Sequence, residues 1–373
     1  MRRQVCLALF VTLSGCAHTL GATATRAEQP GHPEVKFDEV TIAGDLELEK
    51  LNDEELFASG TSFYAAEDYK QAARYFERIC DFHPSSKHRR LALFNAGLAL
   101  EKLKKYEESF VRFSELSEPA KGTGDALDAA FQVAEVLYHL EHFQQAGEIV
   151  KTIADRTELG SDKRLQARVQ QGVCEVSEGK IELGEQTLRD ALTFWQAQPD
   201  KDLLSDYFPA EAQFWLGEIY RLHYESIELD PNHTTKKLAE DLEYKSELLL
   251  SAQGHYLRAI RIGNGSWATA SGQRIGGLYE NMYDHLTNAA APSELNEVEK
   301  TMYKAELRKK VRVLITKAIT VYERTLEAAE RIGASSPFVQ QTQESLRRMK
   351  DLLLAEAKAD DEAPVSGTRR PGS

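Results

Sequence analysis

Between residues 53 and 200, large apolar residues and small residues alternate in a pattern that only a pair of antiparallel helices explains. Set Ala72 as the small residue of a second helix, and Leu56, Gly60, Phe63, Tyr69, Phe76 and Pro84 fall into one two-helix unit with it. Gly60 and Ala72 let the helices approach, the large residues fill the seam, and Pro84 stops the second helix. A shift of 37 residues gives Leu93, Gly97, Leu100, Tyr106, Ser109, Phe113 and Leu116. A further 37 gives Ala130, Ala134, Leu137, Phe143, Ala146, Val150 and Ile153. A fourth copy holds Gly172, Ile181, Gly184, Leu188 and Ala191, but sets the polar Arg168 and Glu175 where the seam calls for apolar residues.

The last third keeps the pattern and stretches it. Leu216, Gly217 and Tyr220 mark a first helix whose partner carries Ala252, Tyr256 and Ala259, with 23 residues inserted; Ile275, Gly276 and Tyr279 pair with Ala318 and Tyr322 across 30 inserted residues. Each insert is helix-patterned around one turn, at Asp230–Thr235 and at Ala291–Ser293, with Thr235 and Ser293 as N-caps. Lengthening both helices of a pair by about 11–15 residues projects a hairpin by about 17–22 Å. Phe338, Leu346, Met349 and Leu353 lie on one face of a closing helix, from Pro337 to about Ala357, that caps the array.

The seven residues from Leu56 to Pro84 occupy positions 4, 8, 11, 17, 20, 24 and 32 of the tetratricopeptide repeat (TPR), and the chain resembles that family over residues 53–357. The resemblance implies an all-α, right-handed α-solenoid of about six TPR-like helical hairpins, the last two elongated, plus the capping helix. The signature residues are Gly60, Ala72, Pro84, Gly97, Ala134, Ala146, Gly172, Gly217 and Ala252. The expected division is repeats one to four over 53–200, elongated hairpins over 201–335, a capping helix over 336–357 and a disordered tail over 358–373.

The N-terminus adds an address. Arg2 and Arg3 precede a short apolar run from Val5 to Leu13, and then Leu13-Ser14-Gly15-Cys16 resembles the lipobox of bacterial lipoproteins. The resemblance implies a signal peptide over 1–15, lipidation of Cys16, and outer-membrane sorting, because Ala17 stands where Asp would retain the protein at the inner membrane. Residues 16–52 then form a polar tether, with one short extended segment over 35–48. No apolar run reaches the ~18 residues of a spanning helix. Cys80 and Cys174 lie three repeats apart, too far for a disulfide, and read as small buried hydrophobes.

Charge narrows the partners. The formal net charge is −13, from 46 Lys and Arg against 59 Asp and Glu, which disfavours nucleic acid and direct docking on anionic lipid. No catalytic motif is present, so no enzyme activity, cofactor or metal is expected. Gly263-Asn264-Gly265 imitates part of a dinucleotide fingerprint but follows a helix, where a turn between repeats is due. His139 and His142 lack a placed third ligand.

In TPR arrays positions 2, 5, 9 and 12 of each first helix face the concave groove. Position 5 reads Phe57, Phe94, Phe131, Val169 and Phe214, and position 12 adds Tyr64 and Tyr138. Two placements fit these residues: a partner-binding groove, or packing between neighbouring first helices. In the first, Phe57, Phe94 and Phe131 form a ladder some 20 Å long, at about 10 Å per repeat. An acidic rim of Glu54, Asp128 and Glu135 then prefers basic residues flanking an apolar segment. Nine of the 14 tyrosines lie between Tyr207 and Tyr322, either as a partner surface or buried between the long hairpins. The function implied is a membrane-tethered scaffold or adaptor for envelope proteins. The alternative is a regulator or carrier of cell-wall synthesis that touches glycan.

Overall fold

The computed structural model describes residues 47–199, 201–230, 233–291, 295–333 and 336–362. Cys16, the signal peptide, most of the tether, Ser293 and residues 363–373 lie outside them. The helices pair as α1 (Asp53–Ala65) with α2 (Tyr69–Phe82), α3 (Arg89–Lys102) with α4 (Tyr106–Leu116), and α5 (Asp125–His139) with α6 (Phe143–Ala154). There follow α7 (Ser161–Ser177) with α8 (Ile181–Gln196), α9 (Tyr207–Ser226) with α10 (Thr235–Ile262), and α11 (Gly265–Asn288) with α12 (Glu297–Arg331). The last helix, α13 (Pro337–Glu362), packs on both α12 and α11. Every helix packs on its successor, and first helices meet across repeats, α3 with α5, α7 with α9, and α9 with α11. The result is an all-α solenoid.

One contact recurs along the array. A Cβ on Gly60 would lie 2.9 Å from the Phe76 ring, on Gly97 2.6 Å from Phe113, on Gly172 2.7 Å from Leu188, and on Gly217 2.5 Å from Tyr256. A Cβ on Gly276 would collide with Tyr322 in the same way. The small residue at position 8 is thus the seat for the large one at position 24, in the elongated hairpins as in the short ones. At position 20, Ala72, Ala146, Ala252 and Ala318 are fully buried, and Ser109 donates from Oγ to the Gly97 carbonyl at 2.8 Å. The corner between the two helices repeats as well. Glu67, Lys104, Glu141 and Gly179 all have positive φ, at 61°, 59°, 60° and 89°.

The polar residues of the fourth copy are accommodated within the seam. Glu175 accepts a 2.6 Å bond from the Thr187 hydroxyl of α8, and the Arg168 guanidinium lies 5.0 Å over the Phe194 ring. The Gly263-Asn264 turn ends one helix and starts the next. Gly263, at φ 101°, occupies the left-handed conformation that follows α10, and the Asn264 side chain caps α11.

The structure refines the reading of the C-terminal third at three points. The N-caps of the inserts are Thr234 and Asn296, not Thr235 and Ser293. Asn296 forms a reciprocal capping box with Glu299, which satisfies two backbone N–H groups at once. Secondly, the lengthened helices lean on each other, and most of the clustered tyrosines pin them together. Tyr224 bonds Asn281 at 2.8 Å, Tyr279 bonds Gln253 at 2.9 Å, Tyr283 bonds Glu356 at 2.8 Å and Tyr322 bonds Glu280 at 3.0 Å. A phenol suits this task, because it fills a seam with its ring and reaches an acceptor on the next helix. Only Tyr244 and Tyr303 of the nine are exposed by more than a third. Thirdly, α13 continues to Glu362, five residues past the expected end, so the expected tail begins in helix. At the other end, Leu48 is buried in a helical turn rather than in an extended segment.

Lys245, fully buried on α10, closes the end of α9. Its ammonium donates to the carbonyls of Tyr224 and Ile227, each at 2.8 Å, and sits 4.1 Å over the Tyr224 ring. A cation there satisfies orphan carbonyls at a helix C-terminus.

Candidate functional site

The position-5 ladder does not form an open groove. Phe131, Val169 and Phe214 are buried, at 1%, 0% and 0% exposure, because neighbouring first helices stand close enough to enclose this position. Phe214 packs against Trp267 of the next first helix, ring centroids 4.9 Å apart, and Lys163 of α7 lies 5.3 Å over the Phe131 ring. Phe57 and Phe94 are half-buried. Phe57 stacks on His88 at 4.7 Å, and Phe94 meets Phe113 edge-on at 5.5 Å. Tyr64 packs on Tyr69, centroids 5.3 Å apart. The acidic rim also dissolves in part. Glu54 pairs with Lys87 at 2.8 Å and Asp128 with Lys163 at 2.6 Å, leaving Glu135 as the member that faces the cleft described next.

That cleft lies on the inner face, where the first helices α5, α7 and α9 converge. Glu135, Tyr138, Val173, Tyr207, Glu211 and Trp215 line it, with Gln170 and Cys174. In the repeat register Glu135 and Val173 hold position 9, Tyr138 position 12 and Glu211 position 2. Positions 2, 9 and 12 therefore line the cleft here, whereas position 5 is consumed in packing. Tyr138 is the one expected groove residue that reaches the cleft.

Its electrostatics are acidic and its walls aromatic. Glu135 and Glu211 are its acidic side chains. The His139 imidazole lies 3.9 Å from Glu135; burial lowers its pKa, with Glu135 opposing. The same ring stacks on Tyr106 at 4.8 Å, which gives His139 a packing role rather than a ligating one. Burial, with both carboxylates adding to it, pushes the Tyr138 hydroxyl and the Cys174 thiol each up to about 12. Both are neutral at physiological pH, and the Tyr138 and Ser177 hydroxyls bond each other at 3.0 Å. Glu211 is 5% exposed and Trp215 7%. The Trp215 indole N–H has no acceptor, and Gln170 Oε1 has no donor.

Sequence reasoning missed Glu211, Gln170, Val173 and Trp215. Position 2 and position 9 of the register carry the signal for Glu211 and Val173; nothing local marks Trp215 and Gln170. Among the described residues, no group of three or more His, Cys, Asp and Glu gathers as a metal site, and no helix is long and apolar enough to cross a membrane. Cys80 and Cys174 are both buried free thiols.

Residues 56–86 match the family model TPR_6, Tetratricopeptide repeat. No curated protein matches the chain. Among solved structures, a Rap protein complexed with competence and sporulation factor is 14% identical, over 87% of this chain and 81% of that one, with a TM-score of 0.39. The apo form of RapI is 12% identical, over 83% and 100%, with a TM-score of 0.44. A TPR repeats protein from Bacteroides fragilis is 12% identical, over 81% and 99%, with a TM-score of 0.31.

Proposed function

We propose that this protein is a membrane-tethered scaffold that holds segments of envelope proteins against the inner face of its helical array. The cleft carries the reading. Three successive first helices converge on one concave, aromatic-walled site, and concave sites with a few polar groups are where ligands bind. The exposed apolar residues near the start of α12, Val298, Met302 and Tyr303, offer further contact area. The tether rests on Leu13-Ser14-Gly15-Cys16, and Ala17 directs the anchored protein to the outer membrane, facing the periplasm. Three acyl chains hold a protein stably at a bilayer, where one does not.

Two measurements test the parts separately. Cys16→Ser removes the acylated thiol, and the variant is expected to move from the membrane fraction to the soluble one; fractionation unchanged from wild type would refute the tether. Capture from detergent-solubilised envelopes is expected to return discrete proteins. Co-sedimentation with purified sacculi, in the absence of protein partners, would instead favour direct contact with glycan.

A further inference from the structure

We infer that a phosphate group that retains a proton, free or carried as a monoester, binds where Arg189 of α8 and His255, Arg258 and Arg261 of α10 gather around Gln213 and Tyr220 of α9. The site is separate from the inner-face cleft and does not rest on the scaffold reading. The chain is acidic as a whole, with a net charge of −13, yet here guanidiniums crowd one another. Burial, then the charges of Arg189 and Arg261, hold Arg258 below its ordinary pKa. Arg189 already has its carboxylate, since Glu185 accepts from it at 2.6 Å and from the Tyr220 hydroxyl at 3.1 Å. Arg258 and Arg261 are exposed, and neither has an ion-pair partner among the described residues. Two reachable positive charges are left without a counter-charge, and an oxyanion relieves their repulsion while it takes their forked N–H groups.

The cluster is held in place from below. Gln213 Oε1 accepts from Arg258 Nε at 3.3 Å and lies 3.0 Å from His255 Nδ1. An amide oxygen only accepts, so Nδ1 carries the ring proton and Nε2 is left as a bare acceptor. The Tyr220 ring stacks on this imidazole, centroids 5.3 Å apart, and fixes its plane. His255 is 5% exposed, yet Nε2 has no partner among the described residues and is not sealed from solvent. The free Nη1 and Nη2 of Arg258 lie over Gly254, 3.7 and 3.9 Å from where a Cβ would stand, a position with no side chain to cover them. Cations beside a bare acceptor set the ligand's chemistry. Carboxylate and sulfate satisfy the guanidiniums but bring no proton to Nε2 at neutral pH. A phosphate, with its second pKa at about 6, presents anionic oxygens and an O–H together. The charged and titratable groups facing His255 are Glu185 and Arg189 of α8, Tyr220 of α9 and Arg258 of α10. Burial, then Arg258 and Arg189, with Glu185 opposing, push His255 down to about 4, so the phosphate supplies the shared proton. Its negative charge then offsets the two arginines and draws that proton toward Nε2.

Calorimetric titration of the full chain at about pH 6.5, near the second phosphate pKa, tests this with inorganic phosphate, glycerol phosphate, dimethyl phosphate and sulfate. Inorganic phosphate or glycerol phosphate is expected to bind about tenfold or more tightly than sulfate, and than dimethyl phosphate, which has no proton to give. Equal affinity for the first two assigns the site to the phosphate group alone, and a preference for glycerol phosphate assigns it to a monoester. Arg258→Gln, at an exposed side chain, should lower phosphate affinity by about tenfold, with folding checked by circular dichroism. The His255 ring signals in nuclear magnetic resonance need no variant: saturating phosphate should raise their titration midpoint by about one pH unit or more, a tenfold coupling between proton and phosphate. Sulfate bound as tightly as phosphate would reduce the cluster to a general anion patch and overturn the inference. An unmoved His255 midpoint, or no phosphate binding, would overturn it as well, and each of these outcomes leaves the scaffold reading standing.

Discussion

Glu218→Ala is expected to destabilise the array by about 3–5 kcal/mol, the usual cost of breaking a buried ion pair by removing one partner. Glu218 is 3% exposed and sits at the centre of a charge cluster that ties α9, α10 and α11 together. Arg221 donates to it at 3.0 Å, Arg274 at 2.9 Å, and the Tyr256 hydroxyl through a short bond. Truncation leaves two guanidiniums and a phenol facing a cavity. Replacing Glu218, Arg221 and Arg274 together by apolar residues of similar size should cost far less, since no buried charge is then stranded. Burial raises the Glu218 pKa, but Arg274, Arg221 and the hydrogen bonds outweigh it, and the net shift is downward. The folded pKa thus lies below the unfolded one, about 4.3. The stabilisation is complete above that value and fades as the pH falls through the lowered folded pKa. Urea midpoints of wild type and variant across the acid range measure both effects, and the gap between the two should narrow as the pH falls.

Phe214→Ala is expected to cost about 3–5 kcal/mol, the range for deleting a buried Phe side chain. The ring is fully buried between Trp267, Tyr256 and Trp215, so its removal opens a cavity where three helices meet. Because a repeat contacts its neighbours alone, protection from hydrogen exchange should fall first in α9, α10 and α11 and persist in α1 to α4. Phe94→Ala, at a half-buried ring, should cost less than Phe214→Ala. An unchanged midpoint for Phe214→Ala, with partner binding weakened, would return position 5 to the groove.

What the chain reveals on reading depends on whether a residue's fate is decided inside one repeat or between repeats. The seat of Phe76 on Gly60, or Tyr322 on Gly276, belongs to one hairpin, and the spacing of small and large residues announces it even across 30 inserted residues. Whether position 5 faces solvent depends on how closely successive first helices stand, a distance no single repeat encodes; Phe57 and Phe131 occupy the same register and differ in exposure. The tyrosines of the long hairpins divide on the same ground, since their acceptors, Asn281, Gln253, Glu356 and Glu280, come from neighbouring helices. The cap at Asn296 was legible: an Asn three residues before Glu299 is the capping-box pattern, and Ser293 lies too early to use it. The cleft was half legible. Positions 2 and 9 point to Glu211, Glu135 and Val173, whereas Gln170 and Trp215 reach it through the convergence of α7 and α9.

The central claim is that partners dock on the inner face, and site-specific photocrosslinking in living cells tests it most directly. A benzophenone side chain at Gln170, in the cleft wall, is compared with one at Val111, exposed on the second helix α4, and one at Met302 on α12. The account predicts discrete crosslinked protein adducts from Gln170 and none from Val111. Adducts from Met302 or Val111 alone, with Gln170 silent, would contradict it.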